Sequence, residues 1–150
     1  MIYIYKNKKS TNKSKNNSYS NKRKVPVGRT VMVRNGHINK RAKDPNCRRT
    51  HVVIETNNED LALVRLTTKK KNTSQLKYYK DGSTYFKHFV ETEDVNNNPL
   101  RVGNNITQNH KNIDLSSLDI KDIFATISNS KEKDQFNYKM KKFRNRYKKS

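Results

Sequence analysis

The apolar residues of this chain come in short, β-branched or aliphatic runs separated by polar punctuation, and that pattern restricts the folds open to it. The clearest are Val27, Val31 and Val33 in VGRTVMV, then HVVIE at 51–55 and LALVRL at 61–66. Asn35-Gly36 follows the first run, and Thr56-Asn57-Asn58-Glu59-Asp60 separates the other two. Closely spaced short runs with such turns predict antiparallel strands, because each turn is too brief for a crossover helix. Tyr85-Phe86-Lys87-His88-Phe89-Val90, entered through Asp81-Gly82, predicts one more strand. The polar stretch 91–113 reads as loop with one short strand at most. No run approaches the roughly 18 apolar residues of a membrane span. The expected class is mainly β with α: a small antiparallel barrel carrying helices.

Two helices are predicted after the strands. Ser116 with Asp119 fits a capping box, and Leu115 with Ile120 occupies the staple positions. Ile120, Ile123, Phe124 and Ile127 then recur at helical spacing, which predicts a helix over 116–127 packed on the sheet. Over 131–150, Phe136, Met140, Phe143 and Tyr147 form one apolar stripe in an otherwise basic segment. Such a helix docks its stripe on the core, binds phosphates, or lies on an anionic membrane. The organisation expected is a basic, disordered arm over 1–26, a single small-barrel domain over 27–128, and a basic amphipathic helix over 129–150.

Charge carries the functional signal. Of 150 residues, 34 are Lys or Arg and 13 are Asp or Glu, a formal net charge of +21. Only 31% are hydrophobic, against roughly 45–50% in an ordinary domain, so the core serves part of the chain. Residues 1–24 hold eight basic side chains and no acid. Such an excess of positive charge points to a polyanionic partner, of which nucleic acid is the commonest. The opening MIYIYKNKKS lacks the apolar stretch that follows the basic residues of a secretory signal. The single cysteine, Cys47, excludes an internal disulfide framework. A cytoplasmic protein is therefore expected.

Few residues suit catalysis. His37, His51, His88 and His110 are scattered without metal-ligand spacing, and four glycines build no phosphate loop. No cofactor is implied. Arg48-Arg49 opens one predicted strand, and Thr67-Thr68-Lys69-Lys70 closes the next. If those strands pair antiparallel, Arg49 and Thr67 share one edge of the sheet. An Arg fork beside a hydroxyl suits a phosphate whose charge grows in a transition state. A solvated strand end would carry the same residues. The candidate catalytic set is Arg49, Thr67 and Thr68, with His51 or His88 able to add a titrating group. Candidate nucleic-acid contacts are Arg48, Lys69, Lys70, Lys71, Tyr85, Lys139, Lys142, Arg144 and Arg146. Tyr78, Tyr79, Tyr85 and Phe86 offer rings on which unpaired bases stack.

The succession VGRTVMV, a basic loop, RRTHVVIE, a turn and LALVRLTT resembles the opening of the MazF/PemK-like toxins, including their type III relatives. The resemblance covers about 27–127. Thr50 replaces the Pro that follows the family's Arg, and Thr68 stands where Ser is common. It implies an SH3-like barrel that cuts single-stranded RNA through the ribose 2′-OH without a metal. It also implies a homodimer and a protein or RNA antitoxin as partners. Arg49 then matches the catalytic Arg and Thr67 the phosphate-contacting hydroxyl. The competing reading is a non-catalytic nucleic-acid-binding protein of a plasmid or other mobile element.

Overall fold

In the computed structural model, residues 25–79, 82–109 and 113–148 are described. The basic arm lies outside them except for Val25 and Pro26, and Val25 is buried in a core cluster. Strand β1 runs Thr30–Arg34, β2 Arg48–Asn57, β3 Asp60–Thr67, β4 Thr73–Gln75, β5 Tyr85–Glu93 and β6 Ile106–Gln108. Helix α1 is the single turn Asn35–Ile38, α2 spans Pro99–Asn105, α3 Ser117–Ser128 and α4 Lys133–Asn145.

The expected mainly-β class with added helices is what forms. All pairings are antiparallel, and the strand order is β4-β5-β3-β2-β1-β6. The sheet is open where a barrel was expected: among the described residues no ladder joins β4 to β6. Closure is unnecessary because both faces are covered by other elements. On one face Val52, Ile54, Ala62, Val64, Leu66, Phe86 and Val90 meet Ile123 and Ile127 of α3 and Phe136, Met140 and Phe143 of α4. On the other, Val31, Val33, Val53, Leu61 and Leu63 meet Val25, Val95, Val102 of α2 and Ile106.

Local chemistry accounts for the elements. The β2–β3 turn reduces to Asn58-Glu59, both at positive φ (50° and 76°), the geometry of a hairpin turn matched to strand twist. Gly28 has φ +98°, and a Cβ there would stand 2.7 Å from the Leu115 carbonyl oxygen, so no larger residue fits. The Ser116 side chain caps α3 by accepting from the Asp119 amide at 3.3 Å. Leu115 and Ile120 are both buried beside it, as a staple requires. In α4 the Phe136, Met140 and Phe143 stripe is buried in the same cluster as α3. Each such side chain stabilises the fold by about 1.5–3 kcal/mol, so α4 is integral to the core and not an appendage. Asn35-Gly36, expected as a turn between strands, instead starts α1, and the stretch 91–113 contains α2 as well as β6. Among the described residues no helix is long and apolar enough to cross a membrane.

Candidate functional site

Alternation along the strands assembles one polar patch. Odd-numbered residues of β2 up to Val53, where a bulge shifts the register, share a face with odd-numbered residues of β3 and of β5. At one end that face is the apolar layer of Val53, Leu61 and Leu63. At the other it presents Arg49 and His51 from β2, Arg65 from β3, and Lys87, Phe89 and Glu91 from β5. The 35–44 segment stands over them, with Asn35, Ile38, Asn39, Ala42, Lys43 and Asp44 completing a cleft of about 410 Å³.

The roof is anchored at both ends. His37 Nε2 lies 2.6 Å from Glu93 Oε1, with both side chains almost wholly buried. The Asn35 amide donates to the Cys47 carbonyl at 2.8 Å, and the Gly36 amide to the Pro45 carbonyl at 2.9 Å. A Cβ at Gly36 would come within 3.0 Å of Pro45 Cβ, so glycine permits this close approach.

The cleft concentrates positive charge without neutralising it. Among the described residues Arg49, Arg65 and Lys87 form no ion pair with an acid. Arg65 Nε is buried with no hydrogen-bond acceptor. Burial, and then the charge of Arg49, lower the pKa of Arg65. Burial, and then Arg65 and Lys69, lower that of Lys87. His51 is 2% exposed, and its pKa falls to about 4. Burial is the chief cause; a hydrogen bond to the Arg49 carbonyl opposes it, and Arg65 and Lys87 add to it. The ring is therefore neutral near pH 7. Its Nδ1 donates to that carbonyl at 3.0 Å, which leaves Nε2 as the basic nitrogen. Glu91 is pushed up by burial, against the pull of Lys139 and with help from Glu93.

The expected residues divide between this cleft and other places. Arg49 lines it. The predicted antiparallel pairing of β2 with β3 is present, and His51↔Arg65 is its last pair at this end. Arg49 and Thr67 thus lie two residues beyond that pair, at adjacent strand ends. Thr67 is outside the cleft lining: it pairs with Tyr85, and its hydroxyl accepts from the Lys69 amide at 3.1 Å. Thr68 is exposed past the strand end, and Lys69, Lys70 and Lys71 are exposed in the turn to β4. Arg48 alternates to the opposite face and donates to the Asn105 carbonyl at 3.0 Å.

Helix α4 and its C-cap Arg146 use three of their cations internally. Arg144 forms a bidentate pair with Glu55, both contacts at 2.7 Å. Arg146 reaches buried Asp60 at 2.8 Å and the Thr92 hydroxyl at 3.0 Å. Lys139 Nζ donates to the Val90 carbonyl at 3.3 Å. Lys142 is exposed, 5.5 Å from the Tyr138 ring centroid.

Sequence reasoning missed Arg65, Lys87 and Glu91. One signal was available: in LALVRL the arginine falls on the same parity as Leu61 and Leu63, where an inward charge needs a reason. Among the described residues no group of three or more His, Cys, Asp or Glu side chains could hold a metal ion. No family model matches this chain, and no curated protein does either.

Proposed function

We propose that the cleft binds a phosphodiester of single-stranded RNA and cleaves it without a metal, in the manner of a toxin of a toxin–antitoxin pair. The observation that carries this reading is the convergence of Arg49, Arg65 and Lys87, unneutralised, around a neutral imidazole. Half-buried cations whose pKa values are lowered by burial and by a neighbouring cation, as those of Arg65 and Lys87 are, are stabilised by an anion placed among them, and a phosphate accepts hydrogen bonds from several at once. The resemblance of VGRTVMV through LALVRLTT to MazF/PemK-like toxins supports the same reading.

The chemistry follows from which protons are available. His51 Nε2 accepts the proton of the ribose 2′-OH as that oxygen attacks the adjacent phosphorus. Arg49 and Arg65 hold the negative charge that builds on the phosphoryl oxygens. Glu91, a carboxyl biased by burial toward its protonated form, returns a proton to the departing 5′ oxygen. The products are a 2′,3′-cyclic phosphate and a 5′-OH. Thr67 and Tyr85 pair across β3 and β5 just beyond Arg65 and Lys87, and receive the neighbouring nucleotide by hydrogen bonding and stacking.

A second reading, binding without cleavage, rests on the exposed Lys69, Lys70 and Lys71 beside the same strand ends. Incubation of the purified protein with a single-stranded RNA in EDTA separates the two. The nuclease reading expects fragments ending in cyclic phosphate, none from the 2′-deoxy analogue, and no cleavage by His51→Gln although it still binds. Binding by the wild type with no cleavage leaves the second reading alone.

A further inference from the structure

The opposite face of the sheet holds a separate constellation. β5 alternates, so Lys87 faces the cleft while His88 points to the side of α4. There His88 Nε2 lies 2.8 Å from the Ser74 hydroxyl, and His88 Nδ1 lies 3.1 Å from Glu132 Oε1. Three elements contribute: Ser74 from β4, His88 from β5, and Glu132 from the residue that caps α4. We propose that Ser74, His88 and Glu132 form a nucleophilic triad that hydrolyses small carboxylic esters, an activity independent of the RNA cleft.

The order of contacts is the one such chemistry needs: nucleophile to base, base to carboxylate. A carboxylate only accepts, so in the neutral imidazole the proton sits on Nδ1 and Nε2 accepts from the serine hydroxyl. Glu132 is kept ionised: desolvation opposes the charge, but hydrogen bonds from His88 and Ser130 lower its pKa overall. The Ser130 hydroxyl and the Glu132 amide are 3.1 Å apart, which fixes the backbone that carries the carboxylate. His88 packs against the Phe86 ring, centroids 5.9 Å apart, and its side chain and that of Glu132 are each 16% exposed. The base is thus held in place yet reachable. β4 is an edge strand, with no neighbour on its outer side among the described residues, so its outward amides are open to a developing oxyanion.

In the reaction, Ser74 Oγ bonds to the ester carbonyl carbon while its proton moves to His88 Nε2. The carbon–alkoxy bond then breaks, and the leaving alcohol takes that proton. Water repeats the sequence on the acyl-serine, giving the acid and the free serine.

The direct test uses diisopropyl fluorophosphate, which reports an activated serine by forming an Oγ–phosphorus bond as fluoride leaves. The triad predicts a single adduct on the Ser74 peptide of the wild-type chain, read by mass spectrometry, and none on Ser74→Ala. Labelling should slow at least about 100-fold in His88→Asn and less in Glu132→Gln, with Glu132→Asp recovering part of the rate. Arg49→Ala, which disables the cleft, should label at the wild-type rate. No adduct on the wild-type chain, or an adduct whose rate ignores His88 and Glu132, overturns the triad and leaves a structural hydrogen-bond network. Both readouts are independent of whether the chain cleaves RNA.

Discussion

Three cations at helix α4 and its C-cap and those of the cleft look alike in the sequence, yet the fold uses them in opposite ways. Arg144 and Arg146 are taken up by Glu55 and Asp60, and Lys139 by a backbone carbonyl. Arg49, Arg65 and Lys87 face one another instead, and among the described residues no acid neutralises them. The first group holds the helix to the sheet; the second leaves a need for an anion. Basic character alone therefore does not locate a binding surface. Whether each charge has an internal partner does.

The contrast is sharpest in activity. Replacing Arg49 or Arg65 with Ala should lower RNA cleavage by about 10²–10³-fold, the usual loss for one transition-state donor. Arg144→Ala should leave the rate within about twofold. Initial rates on one RNA, with circular dichroism to confirm folding, compare them directly.

Stability should invert that ranking. Asp60 is fully buried and accepts from Arg146, from the Tyr147 hydroxyl at 2.5 Å, and from the Asn96 amide and side chain. Burial would raise its pKa, yet the bonds from Tyr147, Arg146 and Asn96 lower it overall. Asp60→Ala strands that network and should cost about 3 kcal/mol in urea unfolding. Arg49→Ala, which relieves repulsion, should not destabilise.

His51 gives the comparison a pH dependence. Its folded pKa is about 4, against 6.5 for the ordinary side chain. Between those values the unfolded chain binds a proton that the folded chain refuses. Its contribution is fully present above about pH 6.5 and is lost as pH falls toward 4, an effect of about 3 kcal/mol at ~1.4 kcal/mol per pH unit. Unfolding followed across that range should show the fall in the wild type and a flatter profile in His51→Gln. A small loss belongs to the half-exposed Arg144–Glu55 pair: Arg144→Met should change stability by no more than about 1 kcal/mol.

Much of the scaffold was legible because its signals are local. The Ser116 cap, the Ile120–Ile127 stripe and the strand over 85–90 depend on neighbours within a few residues, and each formed where the pattern placed it. The β2–β3 pairing was legible for the same reason, since one short turn sets it. The cleft was only half legible. Arg49 stood out as a charged strand end, but its companions come from β5 and from the 35–44 roof, and the register across three strands decides that meeting. Thr67 looked like a partner for Arg49 by strand geometry, yet it lies outside the cleft lining, where its hydroxyl accepts from the Lys69 amide and keeps its own O–H free to donate. The partners of Arg144 and Arg146 lie 89 and 86 residues away along the chain, beyond any local pattern.

Where a phosphate chain is held decides between the cleft and the helix. The affinity of the wild type for a single-stranded RNA, followed against salt by fluorescence anisotropy, gives a log–log slope of about −0.7 for each phosphate neutralised. An Arg49→Gln, Lys87→Gln double variant should flatten that slope by about 1.4, and a Lys139→Gln, Arg144→Gln variant should leave it unchanged. The reverse result, with the helix variant losing the slope and the cleft variant keeping it, would contradict the account.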